Sequence, residues 1–248
     1  MPWLVFMPNA PTPSPWTSSW NPQVNLDSPA GRTIKELVQL VPTGTQITLF
    51  GSAPLQISFD PKFLSQDIDC FGPSDLKALV DSHGLSESSR KPYVQVCAAL
   101  NFRTTPMWST RAYSLPLDGR IIVIPHPIDI LIAKLNRMEE KDLKAFKLVR
   151  EKTGHPTEEE MIEELRAAVD LFRPGFDEEK ANDMKTTTRI LWREFFGHDI
   201  DVIEKIIRPA LLLREEGYAP DNPRTDYKTE LSRLATHQTS VGTPSYDG

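Results

Sequence analysis

Cysteine is nearly missing from this chain. Two residues, Cys70 and Cys97, occur among 248, which excludes a disulfide framework and a four-cysteine zinc site and makes a reducing cytoplasm the default compartment. No run of about 18 apolar residues occurs, so no membrane span is expected. The five histidines, His83, His126, His155, His198 and His237, show no H-x-x-x-H or H-E spacing, so no histidine zinc site is expected either. The opening Met1-Pro2-Trp3-Leu4 has no basic stretch and is broken by prolines, which makes a poor secretory signal. Positive charge is not in excess: 28 Lys and Arg face 34 Asp and Glu, a net charge of −6. That argues against a surface coated for non-specific nucleic-acid binding, though not against a local basic patch. No internal repeat is visible.

What is present is an ordinary globular composition, 39% hydrophobic and 25% charged, with chain enough for one large domain or two small ones. Residues 1–29 hold seven of the 22 prolines and three of the five tryptophans. Proline lacks the amide and restrains its predecessor, so an extended arm without a helix is expected, packed down by Trp3, Trp16 and Trp20. Residues 30–125 alternate short helical and strand patterns. Helices are expected over 34–41, with Ile34, Leu37, Val38 and Val41 on one face, and over 76–80. Strands are expected over 46–50, 67–71, 93–100 and 120–124. From residue 126 to 216 the period turns helical, with helices over 128–138, 141–152, 158–172, 178–196 and 200–215. Thr157 and Glu160 make a capping-box pattern. Residues 217–248 read as a polar, mobile tail with a short helix near 230–235. Strands first and helices after point to an α+β core followed by a helical subdomain.

The chemistry concentrates in Leu49-Phe50-Gly51-Ser52 and, fourteen residues on, Asp67-Ile68-Asp69. A strand ends in Gly-Ser, and a second strand presents two aspartates. Side chains two apart on a strand share a face, so both carboxylates project together while Ile68 faces the core. Two bare charges about 5 Å apart repel by roughly 3 kcal/mol at an effective dielectric near 20. A divalent cation between them removes that cost, and hard oxygen ligands suit Mg2+ or Mn2+ with substrate phosphates completing the coordination. Gly51 lets backbone approach phosphate closely, and the Ser52 hydroxyl can donate to it. Either element alone also describes a solvated strand edge or a common turn; their order and flanking hydrophobic strands set the pair apart.

This pairing resembles the nucleotidyltransferase superfamily, whose signature is hydrophobic-Gly-Gly/Ser, a spacer, then Asp-hydrophobic-Asp. A second stretch runs from Pro127-Ile128-Asp129 through Lys134-Leu135-Asn136-Arg137 to Glu140-Lys141-Asp142. It resembles the helical block with Lys, Arg and a following Lys-Asp of AbiEii-like nucleotidyltransferases, a group that contains toxins of toxin–antitoxin and phage-defence systems. Ser65-Gln66-Asp67-Ile68-Asp69 also matches their Ser/Thr-x-Asp-x-Asp. The resemblance covers roughly residues 45–150. It implies that Gly51 and Ser52 hold the phosphates of an NTP, that Asp67 and Asp69 ligate Mg2+ or Mn2+, that Lys134 lies against the nucleotide, and that Asp142 serves as base or additional ligand. It further implies an RNA or tRNA acceptor and an antitoxin protein as partner. Two departures stand out. The third core-strand carboxylate is replaced by Gln95, and the arginine before Ser/Thr-x-Asp-x-Asp is absent, with Phe63 and Leu64 in its place and only Lys62 close. These departures motivate the competing reading of a catalytically weak nucleotide- or partner-binding module on the same fold.

Other residues draw less weight. His126, between Pro125 and Pro127, reads as a loop histidine rather than a catalytic one. Cys70 follows Asp69 and points to the opposite face, as a buried small hydrophobe does. Ser52 has no nearby His/Asp arrangement, so serine-nucleophile chemistry is not expected. Lys134, Arg137, Lys141, Lys144, Lys147 and Arg150 recur at three- and four-residue steps. That stripe reads as a solvated face or as a seat for an RNA acceptor or the nucleotide tail.

Overall fold

The computed structural model describes residues 14–63, 65–172 and 183–216. The expectations for Trp3, Leu64, His237, the first residues of the helix over 178–196, the tail 217–248 and its short helix lie outside these residues.

The described residues begin with α1 (Pro15–Ser18) and α2 (Pro29–Leu40), then β1 (Gln46–Phe50), α3 (Ala53–Ser58), β2 (Asp67–Phe71), α4 (Leu76–Ser82) and β3 (Tyr93–Val96). After a long loop come β4 (Tyr113–Leu117) and β5 (Arg120–Ile124), followed by α5 (Pro127–Leu135), α6 (Glu140–Thr153), α7 (Glu158–Ala167), α8 (Met184–Leu191) and α9 (Arg208–Glu216). The strands form one sheet in the order β3-β2-β1-β5-β4. β1 runs antiparallel to β2 and parallel to β5, β2 is parallel to β3, and β4 is antiparallel to β5. A mixed sheet with flanking helices makes the fold α+β.

Several boundaries differ from the sequence expectation for physical reasons. The arm does hold a helical turn, α1, and α2 starts at Pro29 rather than at residue 34. Both open on proline, whose missing amide would have no partner in the first turn, behind serine caps that accept from Trp16 N and Gly31 N. The strand over 93–100 stops at Val96, and Ala99–Asn101 turns as a 3-10 helix. β4 carries Pro116 and is tolerated because it lies at the sheet edge, where a missing amide breaks no internal ladder. The helix over 158–172 breaks after Ala167 into a 3-10 turn, and the last two helices each contain a π-helical stretch, Trp192–Phe196 and Ile203–Ile207.

One face of the sheet is the seat of the first core. Ile47 and Leu49 of β1, Ile68 of β2 and Ile122 of β5 meet Ile34 and Leu37 of α2 and Leu76 of α4, all fully buried. Each such side chain contributes about 1.5–3 kcal/mol. The second core joins α5, α6, α7, α8 and the stretch 200–206 before α9, and recruits Leu55 of α3. Its centre is α5, apolar on nearly every side and therefore buried all round. His126 caps α5: its Nδ1 accepts from Ile128 N at 3.1 Å, and Nε2 donates to the Trp16 carbonyl at 2.8 Å. Burial, reinforced by Arg111, holds this imidazole down to about 3, so it is a neutral structural cap.

The arm is thus a strap. Ser14 Oγ donates to Glu160 Oε1 at 2.5 Å. The Trp16 ring stacks on His155 at 4.8 Å between centroids and meets His126 edge-on at 4.8 Å. Trp16→Ala is expected to lower unfolding free energy by about 2 kcal/mol, less than the 3–5 kcal/mol of a fully buried tryptophan. Urea unfolding measures it; an unchanged midpoint would show that the strap adds nothing to stability.

Candidate active site

The site is built at the end of β1. Phe50 pairs with Asp69 across the antiparallel β1–β2 ladder, and the chain then turns at Gly51 with φ +70°. That left-handed backbone favours glycine, and space demands it as well: a Cβ at this position would fall on Asp69 Oδ2. The bend and the acidic doublet are therefore one neighbourhood. Along β2, Asp67, Asp69 and Phe71 are half-buried while Ile68 and Cys70 are fully buried, so both carboxylates share the face away from the first core, as the strand alternation predicts. Among the described residues no hydrogen bond or ion pair engages the Asp67 carboxylate, and Asp69 has only the Cys97 thiol, Sγ to Oδ1 3.8 Å.

Ser52 precedes α3 but does not cap it with its side chain; instead its Oγ accepts from Lys134 Nζ at 3.0 Å. Lys134 sits in the last turn of α5, 7% exposed. Its ammonium also donates to Asp142 Oδ1 at 3.1 Å. Asp142 is fully buried and saturated: Arg137 reaches both oxygens at 3.2 Å, and Oδ2 accepts from Glu139 N at 3.0 Å at the start of α6. Burial alone would raise the Asp142 carboxyl, but the Arg137 hydrogen bond and the Lys134 charge outweigh it and hold it below the usual carboxylate range. Burial pulls Lys134 down against the attraction of Asp142. The base or additional-ligand role implied for Asp142 does not match these contacts. Its oxygens are spent on Lys134, Arg137 and a helix cap, which makes it the residue that positions Lys134.

Sequence reading left other parts without a role. Arg137 belongs to the Asp142 cluster rather than to a simple solvated stripe. The stripe itself divides: Lys134 is buried, Lys141 and Lys144 pair with Glu139 and Glu140, and Arg150 lies over the rings of Phe195 and Phe196. Gln95 lies opposite Asp69 on the parallel strand β3 and is exposed, at the place where the superfamily resemblance expects a third carboxylate. The loop between β3 and β4 is tied down by Arg111. It donates to Asp129 at 2.7 and 2.9 Å and to Glu164 at 2.6 and 2.7 Å, while Thr104 and Thr105 donate to the same fully buried Asp129. Burial opposes the Arg111 charge, but these carboxylate bonds override it and keep the guanidinium protonated. No spacing in the chain announces this triad; only the capping pattern Glu139-x-x-Asp142 carried a readable signal for the neighbouring cluster.

Two carboxylates on one strand face with no ion-pair partner among the described residues, near an ammonium and a hydroxyl, suit a divalent cation with polyphosphate. Among the described residues no group of three or more His, Cys, Asp or Glu side chains is placed to hold a metal unaided, so substrate oxygens would complete the shell. Cys97 is a poor contributor, because burial and the Asp69 charge push its thiol up to about 11. Burial, with the Asp67 charge adding to it, pushes Asp69 up to about 6, while Lys134 and Arg137 act the other way. A carboxyl that ionises near 3.8 unfolded and about 6 folded weakens folding as pH rises through that window. At about 1.4 kcal/mol per unit the full cost approaches 3 kcal/mol. In metal-free buffer Asp69→Asn is therefore expected to be more stable than the wild type at pH 8, by about 1–3 kcal/mol, with the advantage vanishing near pH 4. Urea melts at the two pH values check this; an equal difference at both would mean that the folded carboxyl titrates normally.

Against known proteins, a family model described as a nucleotidyltransferase of unknown function (DUF6036) matches residues 32–197. No curated protein and no solved structure matches. The matched span is about two thirds of the chain and contains Gly51, Ser52, Asp67, Asp69, Lys134 and Asp142. With its bend, acidic doublet and buried lysine gathered at one sheet end, the chain belongs to this nucleotidyltransferase family.

Proposed function

We propose that the protein transfers a nucleotide from an NTP to an acceptor hydroxyl with Mg2+ or Mn2+ bound at Asp67 and Asp69. The observation that carries this reading is the fit of Gly51 against Asp69, where any side chain at 51 would strike the Asp69 carboxylate. It keeps the phosphate-holding bend and the cation-holding doublet within one ligand's reach. The ion, when bound, supplies charge neutralisation at the reacting phosphate and lowers the acceptor hydroxyl's pKa.

The chain's own groups do the rest. Ser52 and the Gly51 backbone hold phosphate oxygens. Lys134 has three donors, two of them spent on Ser52 and Asp142, and the third faces charge that grows on the leaving pyrophosphate. Asp142 fixes the ammonium's position without touching substrate. The acceptor oxygen bonds to the α-phosphorus as the bond to pyrophosphate breaks, and the acceptor hydroxyl's proton passes to water. An RNA or tRNA acceptor, a toxin-like role and an antitoxin partner extend this proposal on the AbiEii-like resemblance.

With labelled NTPs, Mg2+ and total RNA, label transfer is expected to fall at least about a hundredfold in Asp67→Ala and Asp69→Ala. Transfer that persists in both variants overturns the assignment.

One observation favours the second reading, a module that binds nucleotide but turns it over slowly. Gln95 occupies the position opposite Asp69, and Asp142 is committed to Lys134 and Arg137. Under that reading Gln95→Asp tightens Mn2+ binding several-fold and raises transfer above the wild type. Calorimetric titration with Mn2+ alone measures the first effect; wild-type transfer at ordinary enzyme rates, about 1 per second or faster, rejects slow turnover.

A further inference from the structure

The open face of the sheet carries a feature that the transfer reading leaves unused. Asp67, Asp69 and Phe71 alternate along the same side of β2, and Phe50, the residue before Gly51, stands beside Asp69 on β1. The loop after β3 folds back over this face and adds Phe102 and Trp108. The four rings are continuous: Phe50 lies 6.0 Å from Phe71 and 5.5 Å from Phe102, and Trp108 lies 6.2 Å from Phe71 and 5.2 Å from Phe102. Phe50 and Phe102 are buried behind, at 7% and 6% exposure, while Phe71 and Trp108 remain half-exposed. These two meet at 87°, so they present an aromatic corner rather than a flat patch.

The loop is not left to drift. Asn136 Nδ2, just beyond α5, donates to the Arg103 carbonyl at 3.1 Å, and Arg111 anchors the far end through Asp129 and Glu164. The same helix, α5, bears Asp129 at its start and Lys134 at its end. The loop that carries Trp108 and the Lys134 ammonium are thereby tied to one helix, while Phe71 belongs to the sheet.

The geometry points to Phe71 and Trp108 as a stacking seat for an unpaired nucleobase, placed on the far side of the aspartates from Ser52 and Lys134. This rests on the proposed transfer reading and specifies its substrate. The phosphates would lie at Ser52 and Lys134 and the reacting phosphate at the doublet, so what extends onward across the sheet is nucleoside. The anionic doublet admits only ligands that bring cations with them, which an aromatic group tethered to phosphate does. A base inside a duplex has both π-faces covered and cannot enter a corner, hence an unpaired one. The seat takes either the base of the NTP itself or the end base of a single-stranded acceptor. Larger π-surfaces stack better, so adenine and guanine are favoured over cytosine and uracil.

Calorimetric titration with ATP, a short oligoadenylate and inorganic tripolyphosphate, each with Mn2+, separates the outcomes. Wild type, Trp108→Ala and Trp108→Phe are compared. Trp108→Ala is expected to weaken ATP or oligoadenylate roughly tenfold, with Trp108→Phe regaining most of the loss. Tripolyphosphate, which has no base, is expected to bind all three proteins equally. Loss on ATP identifies the donor's base as occupant, and loss on oligoadenylate alone identifies the acceptor's. If Trp108→Ala binds every ligand as the wild type does, or loses tripolyphosphate equally, the stacking seat is overturned. In either case tripolyphosphate binding by the wild type that depends on Asp67 and Asp69 leaves the transfer reading standing. Absence of any binding to the wild type removes both.

Discussion

A lysine ammonium held almost out of water organises this molecule. Lys134 is tied to a hydroxyl at the end of β1 and to a carboxylate at the start of α6, so one cation links the sheet to the helical half. A buried charge of this kind is tolerable only while its partners stay in place; taking one away leaves an uncompensated ion at a cost of about 3–5 kcal/mol. The surrounding structure is arranged to prevent that. α5 is apolar on nearly all sides and cannot rotate without exposing core, and Asp142 is held by Arg137 and by the cap of α6 as well as by the lysine. The stability of the fold and the readiness of the site are the same set of bonds.

The chemistry follows from how unequally the acidic groups are treated. Asp142 and Asp129 are buried and saturated with donors, whereas Asp67 and Asp69 stand beside one another with hardly a partner between them. A protein does not keep two neighbouring carboxylates bare without cost: burial, with the Asp67 charge adding to it, pushes the Asp69 carboxyl up. Opposite Asp69 stands exposed Gln95, so under the proposed transfer reading the substrate's oxygens would have to supply what a third carboxylate would otherwise give.

Much of this was legible before any coordinates. The alternation Asp67-Ile68-Asp69-Cys70 placed both carboxylates on one face because strand periodicity leaves no other choice, and Gly51 after a hydrophobic run marked a turn with close approach. The helical period after Pro127 announced a helix, though not that it is buried all round. The rest was hidden because it depends on distance in space rather than spacing in sequence. Nothing links Arg111 to Asp129 and Glu164 along the chain. The partner of Lys134 eight residues on looked like a catalytic acid, because a carboxylate's role is set by the donors around it and not by its position in a motif. β4 was obscured by Pro116, which signals an edge strand only once the sheet order is known. The arm's turn of helix was missed because proline was counted as a breaker where it is a starter.

The strap at the front of the chain sets a timetable. Ser14 is fastened to Glu160, 146 positions later, and Trp16 is gripped by His126 and His155. On the ribosome this segment is made long before the residues that seat it, and it docks only after they have followed. The five-stranded layer is complete by residue 124, and it must wait, with its leading segment undocked, until the helices that receive it have emerged from the exit tunnel.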